Sequence, residues 1–298
     1  MSKTENNILL FSITLCWAAS YVFIKELPAD LSTFGYLTMT CGIAAILLTV
    51  VFWKKFKGLR PSAVGKSALL SLLLTLNLLF DKLGIDQLPS STASVLAATS
   101  ILIVPILLIA MKKMPTPNNL AGALVIMAGI LVTSGFQTES LFCMGALFMF
   151  LSAVASSVYT IAVDKVTKEE DPLVLSILQM WISCLFSYIL WFIEDPGTFA
   201  NVDYSNEMLS SIFILAFFAK AYAYVALMYS QKYSDPIRVT IIASTEPVVT
   251  LVLAVLIPSA FSERLTATSA VGAIIIMIGA IISGTNFLSG KGGEVHEI

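Results

Sequence analysis

The chain has 298 residues, 57% of them hydrophobic and 12% charged, with a net charge of -2 and a mean hydropathy of +0.89. A soluble domain carries about 25% charged residues, so this composition excludes a water-soluble globular protein and points to an integral membrane protein. There is no basic block for nucleic acid, and the near-neutral total is uninformative, because the distribution of charge decides sidedness.

A membrane span takes about 20 apolar residues. Ten windows qualify: Ile8–Ile24, Leu31–Trp53, Ser67–Leu83, Ser91–Met111, Leu120–Phe136, Leu141–Val163, Leu173–Ile193, Met208–Tyr229, Arg238–Ile257 and Ala267–Leu288. The first reads as a retained helix and not a cleaved signal. It is long, and Lys25-Glu26 stands where a small-residue cleavage site would be. Pro28, Pro61, Pro89, Pro115, Pro117, Pro172, Pro196 and Pro236 fall in short connections, where helices stop. No connection is long enough for an appended soluble enzyme or binding module. With the N-terminus inside, thirteen of the seventeen basic residues lie on the cytoplasmic side, Lys54, Lys55, Lys57, Arg60 and Lys66 among them. Lys25, Lys82 and Arg264 are outside, and Lys220 is in the membrane. This asymmetry predicts cytoplasmic N- and C-termini. Cys16, Cys41, Cys143 and Cys184 have no metal-ligand spacing and are expected to be inert buried thiols. The single His296 lies in the polar tail. Neither a metal nor a cofactor is expected.

The chain repeats itself. Gly122–Gly129 matches Gly272–Gly279 at an offset of 150 residues. Ser90–Pro105 resembles Ser234–Pro247, with lengths differing by about one turn, and Trp17–Lys25 resembles Ala155–Lys165. Five spans followed by five similar ones make the second set enter from the opposite side. The expected fold is therefore an all-α membrane protein: ten transmembrane helices in two inverted five-helix repeats, residues 1–138 and 139–298. Such inverted repeats are the architecture of secondary transporters.

Two ionisable residues sit deep within apolar spans: Lys220, and Glu246 directly before Pro247. A charge at mid-bilayer costs roughly 2.5–3.5 kcal/mol on insertion scales. Retaining two implies that they pair, face an aqueous cavity or hold a ligand. Lys220 reads either as an anchor for an anionic group or as a structural ion pair to Glu246. Glu246 is a proton-coupling candidate, or satisfies backbone donors at a helix break. Pro105 and Pro247 mark expected breaks in corresponding spans.

The chain resembles the ten-helix, EamA-like branch of the drug/metabolite transporter superfamily. Trp17, Lys232-Tyr233-Ser234, Glu246-Pro247, Glu263-Arg264-Leu265, Gly272 and Gly279 carry the resemblance. The first repeat departs from the common pattern, with Pro105 lacking a preceding acid and Lys112-Lys113-Met114 in place of an acidic-basic pair. The resemblance implies a central cavity lined by the first, third, fourth, sixth, eighth and ninth helices, with the fifth and tenth outside. It also implies permeation of small organic solutes.

Helical spacing nominates the wall. Trp17 and Tyr21 are four apart on the first helix, as are Asn77 and Asp81 on the third. Lys82 and Asp86 are expected to be solvated near the interface. Tyr222 and Tyr224 flank Lys220. Ser152, Ser156, Tyr159 and Ser94 are either wall or close-packing residues. The expected substrate-binding set is Lys220, Tyr224, Trp17, Tyr21, Asn77, Ser94, Ser156 and Tyr159. No catalytic constellation is present, so an enzyme is not expected. The expected protein is a multi-pass permease of the plasma membrane (the inner membrane in a bacterium), monomeric or homodimeric. Its partners would be the lipid bilayer and a small polar metabolite, most readily an amino acid or related carboxylate. Export of hydrophobic or cationic compounds is the competing reading, and a membrane receptor or intramembrane enzyme a remote one.

Overall fold

The computed structural model describes residues 1–28, 30–58, 60–133, 143–194, 202, 204–256 and 266–284. The 138/139 repeat boundary, the Glu263-Arg264-Leu265 stretch, Lys291 and His296 lie outside the described residues. The described part is helical, with no strand. The helices are α1 (Lys3–Lys25), α2 (Thr33–Phe52), α3 (Pro61–Ile85), α4 (Ser90–Ala97), α5 (Ser100–Ala110) and α6 (Pro117–Thr133). They continue with α7 (Met144–Val166), α8 (Pro172–Glu194), α9 (Asn206–Gln231), α10 (Pro236–Ala243), α11 (Glu246–Leu256) and α12 (Ala267–Gly284). Eight spans are long and apolar enough to cross a membrane, with α4 and α5 forming most of one and α10 and α11 of another. The shorter apolar helices α6 and α12 bring the bundle to ten segments.

Apolar runs become helices in lipid because every backbone donor and acceptor must be satisfied within the segment. Local chemistry sets where they begin. Ser2 and Glu5 form a reciprocal capping box on α1, and Asp235 accepts from the Arg238 N–H at the start of α10, each satisfying an orphan amide. Cys143 caps α7, its Sγ accepting from the Ala146 N–H at 3.4 Å. Cys143 is also exposed, unlike the inert buried thiol expected from the sequence, because a cap sits at the end of a span and not within it.

The broken spans show the internal repeat in register. α4 and α10 each have 8 residues, and α5 and α11 each have 11. The breaks fall at Ala98–Thr99 and Ser244–Thr245. At each, a threonine hydroxyl donates to the carbonyl three residues back: Thr99 to Leu96 at 2.6 Å and Thr245 to Ile242 at 2.7 Å. The threonine N–H groups close the same turns, both at 3.1 Å. Thus Thr99 corresponds to Thr245, and Ser100 to Glu246. This register accounts for the one-turn difference expected between Pro105 and Pro247. Pro105 lies inside α5. Pro247 is the second residue of α11, where a missing N–H is no loss. Threonine back-bonding, which no proline count reveals, marks the breaks.

α6 and α12 make the closest helix pair. A β-carbon on Gly129 would lie 2.7 Å from the Ile276 nitrogen and 2.9 Å from the Gly272 oxygen. One on Gly279 would lie 2.7 Å from the Ile126 nitrogen. These glycines let the two backbones touch. Gly129→Val is expected to lower the Tm in detergent by an amount equivalent to about 1–3 kcal/mol of overpacking. Gly65→Ala, where nothing lies within 4 Å, is expected to be neutral or slightly stabilising. A maleimide is expected to label Cys143 quickly in folded protein and Cys41 only on unfolding; equal rates would contradict the placement of both.

Candidate functional site

A cavity of about 110 Å³ opens between α1, α2, α3, α7, α9 and the two broken spans. Lys220, Glu246 and Asp81 all line it.

Lys220 reaches it through an irregularity. Residues Leu215–Tyr222 of α9 form a π-helical segment, and the Ala223 N–H donates to the Phe218 carbonyl, five residues back. A π turn widens the helix and re-aims the side chains beyond it, and such turns collect at functional sites. Lys220 is 4% exposed, while Phe217 and Phe218 on the same segment are 43% and 49% exposed. The ammonium lies 5.6 Å from the Tyr36 ring centroid and 5.8 Å from that of Tyr224, within cation–π range.

The Lys220–Glu246 ion pair weighed from the sequence does not form; no described carboxylate lies within ion-pair distance of Lys220. Glu246 opens α11 and lines the same cavity as Tyr21. The electrostatic neighbours of Lys220 are Cys41 and Asp81.

Of the sequence-nominated residues, Lys220, Tyr224, Trp17, Tyr21, Asn77, Ser156, Tyr159 and Glu246 line the cavity. Ser94 is fully buried within α4 and is not part of the wall. Tyr222 turns outward, its hydroxyl 2.7 Å from Ser12 Oγ. Tyr224 packs its ring 5.8 Å from Trp17 and 6.1 Å from Tyr159. Asn77 donates to Ser152 Oγ at 2.9 Å, so it joins α3 to α7 while facing the cavity. Tyr159 is fixed by Gln179 of α8: its hydroxyl donates to Oε1 at 3.1 Å and accepts from Nε2 at 2.9 Å.

Tyr36, Ser100 and Thr240, which the sequence did not nominate, also line the cavity, as does Asp81, which shares a helix face with Asn77 but was not in the expected binding set. Asp81 had a usable signal in its spacing from Asn77. Tyr36 had none, since nothing in α2 marks an inward face, and the expected cavity omitted that helix. Lys82, expected to be solvated, is 6% exposed. It pairs with Asp86 at 2.5 Å and lies 6.0 Å from the Tyr36 ring. The helix turn that carries Asp81 inward tucks its neighbour against α2.

The described residues form a multi-span helical bundle with an intramembrane cavity lined by Lys220, Asp81 and Glu246, the architecture of a multi-pass membrane transporter. Residues 6–135 and 143–285 each match the EamA-like transporter family, and the chain belongs to that family. It is 26% identical to an uncharacterized transporter of Archaeoglobus fulgidus over 293 residues, covering 94% of this chain and 98% of that protein. A solved crystal structure shares the fold with a TM-score of 0.76 at 18% identity, covering 98% of this chain and all of that one. The family and the archaeal relative are transporters rather than enzymes, and the plasma membrane is the usual location of such multi-pass proteins.

Gln179→Leu strands the buried Tyr159 hydroxyl. It is expected to lower stability by about 1–3 kcal/mol, the cost of an unsatisfied buried group, read as a fall in Tm. An unchanged Tm would mean that water or another group satisfies the phenol.

Proposed function

We propose that this transporter carries a small polar, carboxylate-bearing solute, of which an amino acid is the leading example, by alternating access. The single observation that carries this reading is Lys220: a buried ammonium on the cavity wall with no described carboxylate in ion-pair contact. Tyrosine faces offset a desolvated cation by roughly 0.5–2 kcal/mol each. An anionic group entering the cavity adds a charge-assisted hydrogen bond, the stronger class of such bonds. The volume, about 110 Å³, argues for a small cargo, since a cavity of about 150 Å³ admits benzene.

In this reading Lys220 binds the carboxylate, Trp17, Tyr224 and Tyr159 form the aromatic wall, and Asn77, Ser156 and Tyr21 supply polar contacts. Residues 1–138 and 139–298 act as inverted halves that rock against each other, with both termini cytoplasmic. Glu246 carries the coupled proton. A second reading, movement of hydrophobic or cationic compounds, draws on Asp81 and Glu246 sharing the cavity with the aromatic wall. Without a Lys220–Glu246 pair, it leaves the ammonium repelling its own cargo.

In proteoliposomes, Lys220→Met is expected to abolish uptake of small carboxylates at least 10-fold while the protein still inserts and elutes as wild type. Retained uptake removes Lys220 from binding, and competition by cations in place of carboxylates favours the second reading. Glu246→Gln is expected to eliminate any pH change that accompanies uptake in the lumen. A wild-type pH change in that variant would place the coupled proton elsewhere.

A further inference from the structure

A second cleft, of about 510 Å³, lies at one end of the bundle among the α2–α3, α7–α8 and α9–α10 connections. It shares no lining residue with the central cavity. Four cations line it, Lys55, Arg60, Lys168 and Lys232, with three carboxylates, Glu169, Glu170 and Asp171.

The carboxylates are already engaged. Asp171 pairs with Lys55 at 2.8 Å and accepts from the Leu173 N–H at 2.9 Å. Lys66 reaches Glu169 at 2.6 Å and Glu170 at 2.9 Å. Ser62 donates to Glu170 at 2.8 Å. The Lys66 and Ser62 hydrogen bonds hold the Glu170 carboxyl below its ordinary range. Lys168 is drawn onto the buried Asp164 of α7 at 3.0 Å. Two cations are left over. Among the described residues, neither Arg60 nor Lys232 has a carboxylate within ion-pair distance. Glu170 and Asp171 reach them only as more distant charges. Both cations are exposed, and Tyr229 and Tyr233 stand on the same wall with ring centroids 5.5 Å apart.

The uncommitted charges of this cleft are therefore both donors, a guanidinium fork and an ammonium, beside two phenols. That set suits a phosphate, which takes bidentate bonds from arginine and a point charge from lysine. The surroundings are those of a headgroup layer. Trp53, Tyr229 and Tyr233 are 57%, 42% and 49% exposed at span ends, as in an interfacial aromatic belt. Basic pockets of this kind at the cytoplasmic ends of spans recruit anionic lipid.

We propose that the cleft binds the phosphate of an anionic lipid headgroup, held by Arg60 and Lys232 and flanked by Tyr229 and Tyr233. The bound lipid ties together connections from both halves of the chain. This site is independent of the transport reading and of Lys220.

The test is thermal unfolding of the full chain in a neutral detergent, with phosphatidylglycerol, phosphatidylcholine or inorganic phosphate titrated in. Phosphatidylglycerol is expected to raise the Tm and the other two to leave it unchanged. Arg60→Ala combined with Lys232→Ala is expected to weaken the apparent phosphatidylglycerol affinity roughly 30-fold, from the contribution of two basic residues near an anionic surface. Arg60→Lys with Lys232→Arg is expected to retain most of it. If the double alanine variant does not fold, Lys232→Ala alone supplies the comparison. Equal protection by inorganic phosphate, lost in the variant, overturns the lipid assignment and makes the cleft a site for soluble phosphate. Protection that is absent, or unchanged in the variant, overturns the phosphate site itself.

Discussion

A lysine ammonium placed inside a membrane span is the constraint on which the rest of the arrangement depends. Water is scarce there, and the cost of the charge must be met by the protein or by something the protein admits. Here α9 gives up regular α-helical geometry over Leu215–Tyr222 so that Lys220 faces inward while its phenylalanine neighbours stay outside. α2 brings Tyr36, and α9 itself brings Tyr224, within cation–π range of the ammonium. Asp81 and Glu246 share the cavity without closing on the ammonium. The charge is solvated by faces and by space, and a cavity results. Had Glu246 closed on Lys220, the pair would have filled that space and removed the reason for it.

The cavity also needs backbone that bends without stranding polar groups. Lipid tolerates irregular backbone only where it is buried in protein or lines a cavity. The breaks between α4 and α5 and between α10 and α11 meet that requirement, since Ala97, Ala98, Ser100, Ala243 and Glu246 around them line the cavity. Thr99 and Thr245 each turn a hydroxyl onto the same carbonyl that their own N–H reaches, closing the tight turn at the break. Matching half-helix lengths follow from one solution being used twice. Away from the cavity, α6 and α12 need no such device, and their glycines bring backbone against backbone. The bundle is thus tight on one flank and open in the middle.

Charge outside the membrane follows different rules. The ion pairs around the α2–α3 and α7–α8 connections lie at the surface, from exposed Lys55 and Glu169 to the largely covered Glu170, and surface pairs are worth about 0–1 kcal/mol each. Their effect is selective and not strongly stabilising. By engaging Glu169, Glu170 and Asp171, Lys55 and Lys66 leave Arg60 and Lys232 without an acidic partner in contact.

Composition alone determined that this chain lives in a membrane, because 12% charge in 298 residues leaves nothing to face water over a soluble surface. The spans, the doubled five-helix pattern, the depth of Lys220 and Glu246 and the helical spacing of Trp17 with Tyr21 were likewise legible in one dimension. They depend on run length and period, and those are properties of the string. Which groups meet was not legible. The inward facing of Lys220, the tyrosine supplied by α2, the separation of Glu246 from Lys220 and the seating of Lys82 against Tyr36 all belong to the tertiary structure. Each depends on how one helix is rotated against another. In an apolar chain that rotation leaves little trace, because the face toward lipid and the face toward protein are equally greasy.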